Sequence, residues 1–368
     1  MDASEQPDLK HQDWKRERFI LPVVNAKGLP LRVEVARYLP GTPCCTRYAD
    51  STSMRSRILL THAVGFSKEL WEPIITRLFS LQDTDKFIRN KGPRVHIHEI
   101  WTVDCPNQGR SAALNDNVLL DGDHILTSNH YADAILTLMT SDVLHLHSRS
   151  LNIPLIAVGH SYGSTALSLA YSRSPSHPLF EKLVMIEPPM LSRGLLDKYP
   201  DYIPQLVERT RRRRDKWISR GNAYSSMITR QPYKGWDAQV VRIYVDHCLR
   251  DAPSMPHLPS ALKTVTLSCA VPQEMACYSL SEGFQCLDIL PSICATIPVH
   301  TIFGSIRDLA HPEIQASIVD AKQGRRMVTV TSVEQGGHFV PFQRPESCAK
   351  AIWNALCDPR GPNRAPKL

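Results

Sequence analysis

Short apolar runs of strand length alternate with amphipathic stretches along the chain. The apolar runs are Arg18–Val24, Leu31–Tyr38, Ile58–Leu60, Val95–Val103, Leu155–Val158, Leu183–Ile186, Ile297–Phe303 and Met327–Val333. Between them, apolar positions recur at helical spacing. Ser67–Leu81 carries Leu70, Trp71, Ile74, Ile75 and Leu78, and His130–His147 carries Tyr131, Ile135, Leu138, Met139, Val143 and Leu144. Ser164–Tyr171, Pro312–Ala321 and Pro345–Cys357 read the same way. Ser67 is placed to cap the first of these helices, and Asn25–Gly28 to turn the first two strands into a hairpin. Residues 1 to about 17 read as a solvated lead-in and Gly41–Arg57 as loop.

Buried strands alternating with amphipathic helices predict a mostly parallel sheet covered on both faces, with its site at the carboxyl ends of the strands. From Met190 to Ile293 the pattern changes to helical stretches broken by many prolines, with no strong buried strand and a basic run, Arg209–Lys216. This predicts a helical cap inserted after strand six. The expected organisation is a core over 1–189, a cap or lid over 190–295, the rest of the core over 296–357, and an exposed tail over 358–368.

Chemistry concentrates at Gly159-His160-Ser161-Tyr162-Gly163, between an apolar run and a helical one. A G-x-S-x-G turn between strand and helix presents a serine hydroxyl at a sharp, strained apex, beside the N–H groups of the helix start. A serine alcohol needs a base within reach. His338 stands after the last strand in Gly336-Gly337-His338-Phe339, with Pro345-Glu346 opening the last helix. Two carboxylates can orient it, both consistent with the chain order of nucleophile, acid and histidine. Glu187, after strand six and locked by Pro188-Pro189, is favoured; Asp308, after strand seven beside Arg307, is the alternative.

These residues resemble the α/β-hydrolase family over most of the chain. The elbow GHSYGS, the THAVGF turn, the DCPNQGRS turn and the QGGHFVPFQRPE loop carry that resemblance. It implies that the N–H groups of Val64 and Tyr162 hold a developing oxyanion, and that His62 is a buried histidine orienting the turn. More narrowly, VMIEPPM and the terminal PKL resemble fungal peroxisomal hydrolases of secondary-metabolite and toxin pathways, the group that includes the acyl-CoA hydrolase of mycophenolic acid biosynthesis. That group places an Asp after strand six, where this chain has Glu187. The resemblance implies a peroxisomal acyl-CoA thioesterase with Ser161 as nucleophile and His338 as base. A carboxylesterase or lipase acting on oxygen esters is the alternative, and a non-catalytic binding protein on the same scaffold the remaining one. Ser161 at the elbow excludes epoxide hydrolase and dehalogenase chemistry, which use an aspartate there.

Composition narrows the partners. Hydrophobic residues make up 42% and charged residues 21% of 368 residues, as in a globular enzyme. The net charge of +7 comes without a basic stripe interleaved with aromatics, so nucleic acid is not expected. The Arg209–Lys216 run can meet CoA phosphates or be a solvated helix face, the ordinary reading of a charge run. Ten cysteines, with Cys44-Cys45 the one close pair, read as reduced core fillers of an intracellular chain. His96 and His98 share a strand face without a third ligand nearby, so no metal is expected; no flavin or nicotinamide motif appears either. No run is long enough to span a membrane. Pro366-Lys367-Leu368 resembles the C-terminal tripeptide read by the peroxisomal import receptor. Exposed cap surfaces can pair, which leaves a homodimer open.

Overall fold

The computed structural model describes residues 14–362 apart from 26, 42–53, 90–93, 121, 123, 147–152, 175–177, 253–263 and 279–280. Cys44-Cys45 and the tripeptide Pro366-Lys367-Leu368 lie outside the described residues.

Eight strands form the central sheet: β1 (Trp14–Pro22), β2 (Arg32–Pro40), β3 (Met54–Thr61), β4 (Val95–Val103), β5 (Leu155–His160), β6 (Lys182–Ile186), β7 (Val299–Gly304) and β8 (Thr329–Val333). Their spatial order is β1-β2-β4-β3-β5-β6-β7-β8. The β1–β2 hairpin and the β2–β4 pair are antiparallel and the rest parallel. The central strand β5 shows why the sheet is covered twice. Leu155 and Ala157 enter one core with Tyr131, Leu167 and Leu287, while Ile156 and Val158 enter the other with Trp71, Ile74 and Ile352. The two-residue period of a strand thus feeds two helical layers. Each fully buried Leu or Ile contributes roughly 1.5–3 kcal/mol.

Several boundaries differ from the sequence reading. β1 begins at Trp14, not after residue 17, because the Trp14 indole is buried against Tyr38 and donates its N–H to Thr76 Oγ1 at 2.9 Å. β3 begins at Met54, within the stretch read as loop. Ser67 does not cap with its side chain; a 3-10 turn, Lys68–Trp71, precedes the helix Glu72–Arg89, and the Ser67 hydroxyl accepts from the Cys248 thiol at 3.4 Å. The expected helix over 130–147 starts at Ser128, capped by Thr127, and breaks at Ser141.

Between β6 and β7 the chain makes a long excursion. It contains the helices Arg193–Lys198, Tyr202–Arg211, Arg220–Met227, Ala238–His247, Val271–Ala276 and Ser281–Thr296. It also contains a three-stranded antiparallel sheet of Lys216–Trp217, Val265–Leu267 and Leu249–Asp251, which the expectation of a helical cap without strong buried strands did not include. Strands of two and three residues are too short for a periodic signal. The excursion's aromatic core, Trp217, Tyr233, Trp236 and Tyr244, closes over Phe66 and Phe342 above the carboxyl ends of the sheet. The last helix of the excursion, Ser281–Thr296, packs on the helix Tyr162–Arg173 and shares the core beneath it.

Candidate active site

Ser161 sits between β5 and the helix Tyr162–Arg173 with φ 50° and ψ −120°. An L-residue is strained there, and the strain turns the side chain out above the sheet. The flanking glycines serve a different need from conformational freedom. A Cβ on Gly163 would lie 2.5 Å from the Thr61 carbonyl oxygen, and one on Gly159 would lie 2.6 Å from the Ser164 nitrogen. The elbow therefore excludes side chains on both sides so that strand and helix can close. The Ser161 N–H donates to the Ile186 carbonyl at 2.8 Å, which ties the elbow to the end of β6.

The residue following that strand end, Glu187, is also at positive φ, 48°. Three non-glycine residues among those described have positive φ, and two of them are Ser161 and Glu187. Glu187 is 3% exposed. Its Oε1 accepts the Gly304 N–H at 2.7 Å, and Gln315 Nε2 lies 3.3 Å from both carboxylate oxygens. The other oxygen faces His338 Nδ1 at 3.4 Å. His338 Nε2 lies 2.9 Å from Ser161 Oγ. A carboxylate only accepts, so Nδ1 carries the imidazole proton and Nε2 accepts from the serine hydroxyl. The 3.4 Å contact is at the long end of hydrogen-bonding distance.

Asp308 reaches a different atom of the same histidine. Its Oδ1 accepts the His338 backbone N–H at 2.8 Å. On the opposite side, the buried His160 lies with Nε2 2.8 Å from the His338 carbonyl oxygen, so its N–H donates there. The main chain of His338 is clasped from both sides while its ring is left to Glu187 and Ser161. Sequence reading placed His160 only as a variable position of the elbow, and its use against a residue 178 positions away leaves no local signal.

Val64 and Tyr162 both line the cavity with Ser161 and His338. Among the described residues neither of their backbone N–H groups has an acceptor. The neighbouring amides of the Val64 turn are occupied: His62 N–H donates to the Tyr131 hydroxyl at 3.0 Å, and Gly65 N–H to Gln108 Oε1 at 2.8 Å. His62 Nε2 in turn accepts the Cys105 N–H at 3.1 Å, so its ring braces the turn from below. Behind it, the buried Lys68 ammonium meets Glu34 at 2.8 Å, Glu69 at 2.9 Å and Asp104 at 3.0 Å. Burial opposes the charge on Lys68, but the three carboxylates outweigh it and raise its pKa above the ordinary value. This network, missed in the sequence, pins the THAVGF turn to the DCPNQGRS turn.

The cavity above Ser161 is walled by Pro188, Pro189 and Ile314 from the core, and by Met190, Leu191, Tyr202, Leu206 and Tyr278 from the excursion. The basic run divides at its edge. Arg211 and Arg212 pair with Glu208 on the surface, while Arg213 turns inward and forms a two-pronged pair with the buried Glu274. Among the described residues no group of three or more His, Cys, Asp or Glu could hold a metal ion, and no helix is long and apolar enough to cross a membrane.

Four buried histidines are held neutral. Burial, as the largest cause in each, lowers His160 to about 3 and His62, His130 and His300 to about 4. Each folded pKa lies below the ordinary 6.5, so the unfolded chain takes up protons first as pH falls. Their contribution to stability is complete above about pH 6.5 and is lost as pH falls through the folded values. Thermal melting followed from pH 7.5 to 5 should show a midpoint falling by on the order of 10 °C. An unchanged midpoint would overturn this account.

Residues 58–351 match a family model described as the alpha/beta hydrolase family. Over 240 residues the chain is 26% identical to the type I acyl-CoA thioesterase mpaH of Penicillium brevicompactum. That match covers 61% of this chain and 46% of the relative, so the chain spans about half the length of the curated relatives it matches. Among solved structures it is similar to the peroxisomal alpha-beta-hydrolase Lpx1 from Saccharomyces cerevisiae, with a TM-score of 0.72 and 18% identity over 97% of this chain and 94% of that one. It is also similar to the thioesterase domain from the curacin biosynthetic pathway, with a TM-score of 0.54 and 16% identity over 93% and 99% of the two chains. At such identities the structural likeness speaks for the fold.

Proposed function

The chain belongs to the alpha/beta hydrolase family, and from that premise we propose that it is a serine hydrolase cleaving acyl-CoA thioesters to a free acid and CoA. The observation that carries the reading is the continuous chain from Ser161 Oγ through both nitrogens of His338 to Glu187, opening into a largely apolar cavity. The likeness to the acyl-CoA thioesterase mpaH supports the thioester over other acyl substrates.

In the proposed mechanism, Ser161 Oγ bonds to the thioester carbonyl carbon as its proton passes to His338 Nε2. The carbonyl electron pair moves onto oxygen, where the Val64 and Tyr162 N–H groups receive it. Collapse breaks the C–S bond, and His338 returns the proton to the leaving sulfur. Water then repeats the sequence on the acyl-enzyme, with the same histidine as base and the acid as product. Glu187 holds the Nδ1–H tautomer and stabilises the imidazolium. The excursion over 190–295 serves as the cap that shapes the acyl pocket, and the segments 1–189 and 296–357 as the catalytic core.

Thiol release from a panel of acyl-CoAs, run beside oxygen esters of the same acyl groups, tests the proposal. Preferred turnover of the thioesters is expected. Ester hydrolysis without CoA release would replace the reading with an oxygen esterase. We further propose a peroxisomal location, from the terminal Pro366-Lys367-Leu368. An amino-terminally tagged chain should enter peroxisomes and remain outside when those three residues are removed; import without them would refute the address.

A further inference from the structure

The acyl cavity is not apolar throughout. Where the helices Tyr162–Arg173 and Ser281–Thr296 meet, it is lined by Thr165, Tyr162, Ser128 and Glu282. Thr165 is 3% exposed and its Oγ1 has no hydrogen-bond partner. This is unusual even within its own helix. Ser164, Ser168 and Ser172 satisfy their hydroxyls on the Gly159, Ser164 and Leu169 carbonyls at 2.7, 2.9 and 2.9 Å. Thr165 does not turn back in this way, although the same bond is open to a helical threonine. The buried Tyr162 hydroxyl likewise makes no hydrogen bond of normal geometry, with the soft Cys277 thiol as its polar neighbour. A buried hydroxyl without a partner is costly, so Thr165 Oγ1 in the wall of a substrate cavity points to a group that completes it.

Glu282, 5% exposed, lines the same cavity. Its carboxylate accepts from Asn129 Nδ2 at 2.9 Å and from Ser281 Oγ at 2.6 Å, which leaves lone pairs on both oxygens. Thr165 lies in the first turn of the helix that Ser161 precedes, and both residues line the same cavity. A donor and an acceptor are thus offered together, a short step from the nucleophile.

Building on the hydrolase reading of Ser161, we propose that the acyl arm of the substrate carries a hydroxyl group a few bonds beyond the reacting carbonyl, accepting from Thr165 and donating to Glu282. A plain fatty acyl chain would leave both unanswered. An alcohol or phenol supplies both halves of the exchange.

The test is equilibrium binding to the full chain carrying Ser161→Ala, so that it does not depend on turnover. The probes are medium-chain acyl-CoAs bearing a hydroxyl at successive positions, each beside its unsubstituted parent, and the corresponding free acids. The best hydroxylated ligand should bind roughly ten-fold tighter than its parent, the worth of one good hydrogen bond. Adding Thr165→Val should bring that ratio close to one, and Thr165→Ser should restore it. General damage to the pocket would weaken both ligands of a pair and leave the ratio unchanged. A ratio near one at every position, or one that survives Thr165→Val, would overturn the proposal. Preference among the free acids without binding of the CoA forms would keep the hydroxyl site and remove the thioester reading.

Discussion

Ser161→Ala is expected to lower kcat on the preferred substrate by about 10⁴–10⁶, with KM changed little. The size of the effect follows from what the residue touches. Its Oγ lies 2.9 Å from His338 Nε2 and is the one hydroxyl of the array placed to be deprotonated by that nitrogen. Without it the carbonyl carbon has no nucleophile except water, and the oxyanion amides and cavity remain to give only the residual acceleration seen when such arrays lose a member. The substitution should not disturb the fold. Alanine carries the same Cβ as serine at φ 50°, so the strain at the elbow is unchanged, and the anchoring bond from the residue 161 N–H to Ile186 is a main-chain one. Steady-state kinetics together with a melting curve check the expectation. Activity within ten-fold of the natural protein, at an unchanged melting temperature, would remove Ser161 from the mechanism.

The strands and the elbow were legible in the sequence for a shared physical reason. A strand buried on both faces has to be apolar along its length, as Leu183–Ile186 is, and the turn at its end has to admit close backbone approach, as Gly159 and Gly163 do. Both requirements are local, so both leave a local pattern. The histidine loop is legible in the same way, because Gly336 and Gly337 mark where the chain passes close beneath Asp308 and Val340.

What was not legible depends on partners far along the chain. That Asp308 would serve the main chain of His338, and Glu187 its ring, is decided by where β6 and β7 end relative to each other. The spacing of either acid from its neighbouring glycine or proline does not report that offset. Arg213 looks like its neighbours in a run of four arginines, yet it alone of the four turns inward, because Glu274 is buried beside Gly65 and needs a counter-charge. Lys68 was hidden likewise: a lysine in an amphipathic stretch reads as solvated until Glu34 from β2 and Asp104 from the turn after β4 join its neighbour Glu69 around it. Charge burial is a tertiary property and carries no period.

The division of labour between the two acids makes the second large expectation. Glu187→Gln should reduce kcat by about 10²–10⁴, while Asp308→Asn should reduce it less than about ten-fold. Glutamine keeps the length and can still accept the Gly304 N–H. Facing His338 Nδ1, however, its amide can present a donor, which favours the wrong imidazole tautomer, and it withdraws the charge that stabilises the imidazolium. Asparagine at 308 keeps an oxygen for the His338 N–H, so the backbone clasp shared with His160 survives. The two kcat values, measured beside each other on the same substrate, decide the assignment: equal losses, or the larger loss at 308, would move the acid to strand seven. Glu187→Asp extends the comparison. The strained backbone at φ 48° and the Gly304 hydrogen bond fix where the side chain starts and where one oxygen must end. A carboxylate one methylene shorter cannot keep that bond and also reach a ring nitrogen already 3.4 Å away. The shorter acid should therefore lose activity here, because the turn after β6 is set for glutamate.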